Sequence, residues 1–158
     1  MPGAIFKSSK SLAAWKSNLM FADRFLAATR AHGPLCVGID PHPGRIPDLF
    51  GGYTPDGLEK WGVAVVEAAA GRTGIVKPQV ALFERHGWQG MKALASVCQT
   101  AKDAGLIVLA DAKRGDIGST AEGYAAAYLA EGAPFACDAL TINPYMGLDT
   151  IEPHDRMH

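Results

Sequence analysis

Four short apolar runs follow one another along the chain, and each is continuous rather than alternating with polar residues. They are Leu35–Asp40, Gly74–Val80, Leu106–Asp111 and Asp138–Asn143. Continuous runs of this length are typical of strands that are buried on both faces, as in a parallel sheet. The last three runs begin at positions 74, 106 and 138, which are evenly spaced. That spacing fits one strand, one returning helix and two loops, and it predicts a repeated β/α unit.

Two segments between these runs have the boundaries of helices. Thr54 can cap a helix with its side chain, and Pro55 suits the first helical position. Gln89–Ala104 places apolar residues on one face, and Gly105 is a residue type that ends helices. The sequence therefore predicts one helix after the first strand and another after the second.

Further helices are predicted toward both ends of this region. Ser119–Glu122 has the spacing of a capping box, which opens a helix after the third strand. Before the first strand, Leu19–Ala31 is predicted to be an amphipathic helix with Phe21 and Phe25 turned inward. Glu84–His86, by contrast, is predicted to be a loop that follows the second strand.

Polar residues at the ends of the runs distinguish two β/α architectures. Parallel strands joined by helices form either an open doubly wound sheet or part of a closed barrel. The carboxyl end of each predicted strand carries one polar residue: Asp40, Lys77, Asp111 and Asn143. In a barrel all four would converge on one mouth, and the first turn lacks the GxGxxG pattern of an open dinucleotide-binding sheet. The sequence therefore favours a parallel (β/α)8-type barrel.

The length of the chain limits how much of a barrel it forms. A closed eight-stranded barrel takes about 200 residues or more, and this chain has 158. We therefore predict about the first four β/α units, over residues 34–150. Residues 1–33 are predicted to be an amino-terminal extension and helix. Residues 151–158 form a polar tail unlike the apolar helix expected next, and we interpret it as a truncation or an altered reading frame.

Composition and charge argue against several classes of protein. The formal net charge is −1 and there is no basic run, so a nucleic acid partner is not expected. No apolar stretch approaches the ~20 residues of a membrane span. Cys36, Cys98 and Cys137 are scattered, which is typical of reduced thiols in a cytoplasmic protein. His154 and His158 have helical spacing but lie in the polar tail, so no metal site is predicted.

The segment around the end of the third strand carries the candidate catalytic groups. Asp111 and Lys113 are two residues apart, so on a strand their side chains lie on the same face. Asp116 follows on the loop, and Lys77 comes from the neighbouring strand. These four groups alternate in sign, and buried charges are tolerated when they are paired. A structural ion-pair network at the rim is the alternative, and Arg114 is interpreted as a surface or loop-anchoring residue.

Three parts of the sequence resemble one enzyme family. Asp111–Thr120 reads DAKRGDIGST, Leu35–His42 reads LCVGIDPH, and Val76–Gln79 reads VKPQ. Together they resemble orotidine 5′-phosphate decarboxylase, in its longer bacterial subgroup, from about Phe21 to Thr150. The resemblance implies decarboxylation of orotidine 5′-monophosphate to UMP in pyrimidine synthesis, on a barrel and without a cofactor.

The resemblance also implies a role for individual residues. Lys113 would donate a proton to C6 of the pyrimidine as carbon dioxide leaves. Asp111 would sit beside the substrate carboxylate and hold Lys113 in place. Lys77 would complete the charge array and bond the ribose, and Asp40 would bind a ribose hydroxyl.

The family's site also uses parts that one copy of this sequence does not contain. The residues that match Asp116 and Thr120 reach across a dimer interface into the partner's site, which implies a homodimer with shared active sites. A glutamine and an arginine on the family's late loops contact the pyrimidine amide and the phosphate, and no residue here matches them. Two alternatives stay open: another phosphosugar barrel lyase, and an inactive half-barrel that only associates with a partner.

Overall fold

Four parallel strands lie side by side in the described part of the chain. They are β1 (Cys36–Ile39), β2 (Ile75–Pro78), β3 (Ile107–Arg114) and β4 (Ala139–Ile142). Their order is β1-β2-β3-β4, and each strand pairs in parallel with the next. All four fall on the predicted apolar runs, and β3 continues past its predicted end at Asp111.

The structure, a computed structural model, describes residues 20–135 and 137–152. Helices return the chain between the strands: α1 (Phe21–His32), α2 (Pro55–Ala69), α3 (Val80–Glu84), α4 (Gly87–Asp103) and α5 (Gly118–Tyr128). Single 3-10 turns occur at Asp48–Phe50, Pro144–Met146 and Leu148–Ile151. The predicted extension before residue 20 lies outside the described residues, as does most of the polar tail with His154 and His158.

Two of the predicted helix boundaries are confirmed by their hydrogen bonds and backbone angles. The Thr54 hydroxyl accepts a hydrogen bond from the Gly57 backbone N–H at 3.1 Å, and Pro55 is the first residue of α2. After α4 the chain turns at Gly105, whose φ of +77° is an angle that favours glycine. Local chemistry was sufficient to predict both boundaries.

Three local predictions are wrong. The capping box at Ser119 does not form, because α5 begins at Gly118 and its cap, Ile117, makes no side-chain bond. Within the predicted loop Glu84–His86, Glu84 instead ends the short helix α3, and only Arg85 and His86 form a turn. Phe25 is 38% exposed rather than turned inward, and no residue of α1 is buried. Its contacts are with the amino ends of the strands, at Gly74 and Asp138, and the described residues place no further layer over its apolar stripe.

The core lies between the sheet and helices α2 and α4. Val76 and Val108 on the central strands are fully buried, as are Leu58 of α2 and Val97 of α4. Gly62 allows the two helices to approach closely, since a Cβ atom there would lie 2.6 Å from Val97 Cγ2. This packing fixes the central strands, whose carboxyl ends carry the candidate site.

Helix α1 is attached to the amino ends of the strands. Arg24 forms an ion pair with Asp138, whose other oxygen accepts a hydrogen bond from the Val108 backbone N–H at 2.8 Å. Gly74 lies against the helix, since a Cβ atom there would be 2.7 Å from Ala28 Cβ. The end of the sheet opposite the candidate site is therefore held by a buried carboxylate.

The sheet has two open edges among the described residues, one on β1 and one on β4. Beside β1 an apolar groove of about 290 Å³ runs toward α2, and its lining includes Leu35, Val37 and Val65. Leu35 is 61% exposed.

Within residues 20–135 and 137–152 no helix has the length and hydropathy needed to span a bilayer.

Replacing Asp138 with alanine is expected to lower the free energy of unfolding by about 1–3 kcal/mol, because the Val108 N–H is left buried without an acceptor. Urea unfolding followed by circular dichroism measures the change. Asp56→Ala is the control: its side chain is 68% exposed and its one ion pair within residues 20–135 and 137–152 is with Lys60, so a loss below about 1 kcal/mol is expected. Equal losses in the two variants would contradict the structural role of Asp138.

Candidate active site

The Asp111 carboxylate is the centre of a hydrogen-bonded cluster at the carboxyl ends of three strands. Its Oδ2 accepts from Lys77 Nζ at 3.0 Å and from Gln79 Nε2 at 2.8 Å. Its Oδ1 accepts from Lys113 Nζ at 2.6 Å and from Thr141 Oγ1 at 2.9 Å. The Asp111 carboxylate therefore links Lys113 on β3 and Thr141 on β4 to Lys77 and Gln79 at the end of β2.

The surroundings of Asp111 favour its ionised form. Its side chain is only 13% exposed, and this partial burial acts to raise the carboxyl pKa. Hydrogen bonds from Lys113, Lys77 and Thr141 outweigh burial and hold the pKa of Asp111 well below its usual range. At neutral pH the carboxylate is charged and holds the two ammonium groups near one point.

Asp40 extends the charge array toward β1. Its Oδ1 lies 3.8 Å from Lys77 Nζ, so Lys77 stands between two carboxylates. Gly38 pairs with Lys77 in the β1–β2 register, and a Cβ atom at Gly38 would lie 2.4 Å from Asp40 Oδ2. The absence of a side chain at Gly38 therefore lets the Asp40 carboxylate lie back over the strand.

Lys113 occupies an unusual backbone conformation. Its φ is +50°, and it is the one described residue other than glycine with a positive φ. The β3–β4 register shifts between Ala110 and Arg114, so Lys113 lies within an irregular part of the ladder. Its N–H donates to Thr141 Oγ1 at 2.9 Å, and its side chain is 63% exposed. Strained backbone of this kind is concentrated at functional sites.

Three predicted residues lie outside the hydrogen-bonded cluster. The Asp116 carboxylate accepts from the backbone N–H of Ile117, the next residue, at 2.8 Å, and makes no ion pair with the described lysines. Thr120 is exposed on α5. Asn143 was expected to converge with the other strand-end residues, but its Oδ1 accepts from the Tyr145 N–H at 3.0 Å and caps a 3-10 turn. Asn143 thus lies at the carboxyl end of β4 but its Oδ1 is used in the turn, and Thr141 instead represents β4 in the cluster.

Two members of the cluster were missed by sequence reasoning. Gln79 stands two residues after Lys77, and Thr141 stands two residues before Asn143. Alternate residues of a strand share a face, so this spacing was a usable signal for both. Both side chains are uncharged, and each donates one hydrogen bond to Asp111, at 2.8 and 2.9 Å.

Metal-ligating side chains do not converge at this site. In the ranges 20–135 and 137–152 no group of three or more histidine, cysteine, aspartate or glutamate side chains is arranged to hold a metal ion. The cluster instead combines two ammonium groups with two carboxylates and two neutral hydrogen-bonding side chains. Such a cluster can place a positive charge and a mobile proton beside an anionic ligand.

Comparison with known proteins identifies the family. The sequence model described as Orotidine 5′-phosphate decarboxylase / HUMPS family matches residues 33–155. The chain belongs to this family. Among curated orotidine 5′-phosphate decarboxylases, that of Nocardioides sp. (strain ATCC BAA-499 / JS614) is 47% identical over 133 residues. That of Corynebacterium glutamicum (strain R) is 43% identical over 135 residues.

Solved structures of the same family share the fold. A Streptomyces avermitilis ma-4680 protein, named as a candidate orotidine 5′-phosphate decarboxylase, superposes with a TM-score of 0.82 at 43% identity. Leishmania donovani OMP decarboxylase superposes with a TM-score of 0.73 at 31% identity. Each match covers 87% of this chain. The predicted fold, the first four units of a β/α barrel, is thereby confirmed.

The matches cover much less of the relatives than of this chain. The Nocardioides and Corynebacterium alignments take in 84% and 85% of this chain but only 49% of each relative. The solved structures give the same picture, at 48% of the Streptomyces chain and 50% of the Leishmania chain. The chain therefore spans about half the length of the orotidine 5′-phosphate decarboxylases that it matches.

The stability contributed by Asp111 is expected to depend on pH. A carboxyl whose pKa is lower in the folded chain stabilises it fully above the ordinary aspartate pKa of about 3.9. That contribution begins to decline as the pH falls below the ordinary pKa, and it is lost as the pH falls through the pKa of Asp111 in the folded chain. Asp111→Asn removes it, so the gap in unfolding free energy between parent and variant should be larger at pH 7 than at pH 3.

Urea unfolding of both proteins at the two pH values measures this gap. Asp56→Asn removes one exposed carboxylate on α2 and serves as the control for the loss of a surface charge. Its gap is expected to stay small throughout, because exposed ion pairs contribute little. A gap for Asp111→Asn that is equally large at pH 7 and pH 3 would show that the charge of Asp111 does not stabilise the fold.

Proposed function

We propose that this chain contributes the reacting groups for decarboxylation of orotidine 5′-monophosphate to UMP, without a cofactor. The observation that carries the proposal is the Asp111 carboxylate, held between the ammonium groups of Lys77 and Lys113 at 3.0 and 2.6 Å. The family to which the chain belongs supports the same reaction. Because the chain spans about half of its relatives, activity requires a test on this chain itself.

The proposed reaction breaks one carbon–carbon bond and forms one carbon–hydrogen bond. The bond between C6 of the pyrimidine and the carboxylate carbon breaks, carbon dioxide leaves, and the electron pair stays on C6. The Lys113 ammonium stabilises this developing anion and then donates its proton to C6. Lys113 is suited to that role because its side chain is 63% exposed and reaches open space while it bonds to Asp111.

Asp111 acts in this proposal through its charge and its position. Its Oδ1 accepts the hydrogen bond of the Lys113 ammonium at 2.6 Å and so fixes where that group lies. Gln79 and Thr141 hold the carboxylate from two sides, at 2.8 and 2.9 Å, so it is preorganised before substrate binds. A carboxylate fixed beside the departing carboxylate also favours its loss.

Substrate binding involves the β1 side of the array. We assign Asp40 to a ribose hydroxyl and Lys77 to the ribose and the charge array. Both side chains are about one third exposed, which leaves their polar atoms accessible to a ligand. The contacts to the phosphate and to the pyrimidine amide are assigned to the later strands of the family barrel.

A homodimer with shared sites is part of the proposal. Asp116 and Thr120 do not contact Lys77 or Lys113 within one copy of the described chain, and Thr120 is exposed on α5. We propose that both side chains face the active site of a second copy. This arrangement would explain why Asp116 and Thr120 match residues of the family's active site although they lie outside the Asp111 cluster.

A second candidate function is assembly with a separate carboxyl-terminal half of the family barrel. The open edges of β1 and β4 and the apolar groove beside Leu35 favour this possibility. Unpaired strand edges present free N–H and C=O groups that bind further strands. In this case the chain is inactive alone and acts through its partner.

Lys113→Ala is expected to lower turnover by about 10²–10⁴-fold, the usual contribution of a general acid. The assay follows the absorbance change as orotidine 5′-monophosphate is consumed. It is run on this chain alone and on this chain mixed with the carboxyl-terminal half of the Nocardioides relative, expressed separately.

The matched control is Lys60→Ala. Lys60 is an exposed lysine of α2 that pairs with Asp56 and is not part of the Asp111 cluster, so its loss should leave turnover unchanged. Turnover by Lys113→Ala at the parent rate would contradict the role of Lys113. The absence of turnover in both samples of the parent would contradict the proposed activity.

Val37→Lys is expected to abolish assembly with that carboxyl-terminal half, because it places a charge in the apolar groove beside β1. Light scattering of the mixed chains measures assembly, and light scattering of the parent alone tests the homodimer. Leu49→Lys is the control, since Leu49 is 79% exposed in a turn away from the groove. A complex that forms equally with both variants would exclude the β1 edge as the interface.

A further inference from the structure

Arg114 lies next to the proposed proton donor but is bound on the other side of the strand. Its guanidinium forms an ion pair with Glu84 and donates to the Tyr128 hydroxyl at 3.0 Å. It also lies over the rings of Tyr124 and Tyr128, at 5.4 and 5.6 Å from their centroids. The side chain is 20% exposed. Arginine is suited to this arrangement because its planar group bonds and stacks at the same time.

The partners of Arg114 come from three successive β/α units. Glu84 ends α3, which follows β2, and Tyr128 ends α5, which follows β3. The Arg114 backbone carbonyl accepts from the Asn143 N–H, just after β4, at 2.6 Å. Next in the chain, Gly115 lies so close to Asn143 that a Cβ atom there would be 2.6 Å from its carbonyl oxygen. Arg114 is therefore the point at which the end of β3 is fixed to the structure around it.

The backbone immediately before Arg114 needs such a fixed point. Lys113 has a φ of +50°, and the β3–β4 register shifts between Ala110 and Arg114. A strained residue of this kind persists only where the surrounding structure constrains it from several directions. The Lys113 N–H bond to Thr141 is one constraint, and the anchored side chain of Arg114 is the next along the chain.

We propose that Arg114 is a positioning residue, which holds Lys113 in its left-handed conformation and so keeps Nζ at the Asp111 carboxylate. Arg114 acts through the backbone, since its contacts are with α3 and α5 while those of Lys113 are with Asp111 and Thr141. The catalytic part of this inference rests on the proposed decarboxylation. The geometric part does not, and it has a readout of its own.

The test is Arg114→Gln, which removes the charge and the stacking but keeps a polar side chain. Carbon-13 NMR of the Asp111 carboxyl is the first measurement. If Lys113 moves away, Asp111 loses a hydrogen bond that lowers its pKa, so its titration should shift upward by about one unit or more. Turnover is the second measurement, and kcat should fall by about 10–100-fold with little change in KM.

Three further variants separate positioning from general stability. Arg30→Gln removes an exposed arginine of α1, and both readouts should match those of the parent. Arg114→Lys keeps the charge beside Glu84, so the titration of Asp111 in this variant should lie between those of the parent and of Arg114→Gln. Tyr128→Phe removes one hydrogen-bonding group but keeps the ring, so it should fold even if Arg114→Gln does not, with a smaller shift of the same sign.

The outcomes distinguish this inference from the proposed function. Folded Arg114→Gln with the parent titration of Asp111 would overturn the inference, and so would Tyr128→Phe with the parent titration if Arg114→Gln does not fold. An upward shift of the Asp111 pKa in Arg114→Gln, together with a parent protein that shows no turnover, would support positioning and contradict the proposed decarboxylation. A shift together with the expected loss of kcat would support both.

Discussion

One carboxylate that accepts hydrogen bonds from two ammonium groups is the interaction on which the site depends. Without Asp111 the Lys77 and Lys113 side chains would repel each other, and no other described carboxylate lies within ion-pair distance of both. The attraction works only because parallel strands end at the same edge of the sheet, which brings β2, β3 and β4 together there. The ion pairs of Asp111 with Lys77 and Lys113 therefore support both the stability of the folded chain and the proposed chemistry.

The end of β3 has two faces that do different work. On one side Asp111 and Lys113 meet Lys77, and on the other Arg114 is bound among α3 and α5. In a regular strand, alternation alone would place Lys113 and Arg114 on opposite faces. Here the strand is irregular, with a register shift between Ala110 and Arg114 and a positive φ at Lys113, so alternation alone does not fix the Lys113 side chain. A flexible lysine side chain is placed precisely only if its backbone is fixed. In our proposal, the contacts of Arg114 with α3 and α5 fix the backbone of Lys113 from the opposite face of β3.

The strands and the charged residues were predictable from local sequence, and the details of their geometry were not. Continuous apolar runs predicted all four strands, and the charges near their ends predicted the grouping of Lys77, Asp111 and Lys113. Asp116, which was predicted to belong to the same array, makes no ion pair with the described lysines, and Asp40 takes the place of the second carboxylate. Alternate spacing on the strands would also have pointed to Gln79 and Thr141. The ion pair of Glu84 with Arg114 joins residues 30 positions apart, and short helices such as α3 have too few residues for a periodic signal.

The failed capping box shows why local signals mislead near this site. Ser119 and Glu122 have suitable types and spacing, yet α5 begins at Gly118, whose φ of +53° turns the chain out of the loop. The loop is short and its start is fixed at Arg114 and Gly115, so the point where the helix begins is set by tertiary contacts rather than by the cap. A sequence pattern predicts a helix end reliably only where the preceding backbone is free to adopt it, and the backbone before α5 is held by the contacts of Arg114 and Gly115 with Asn143.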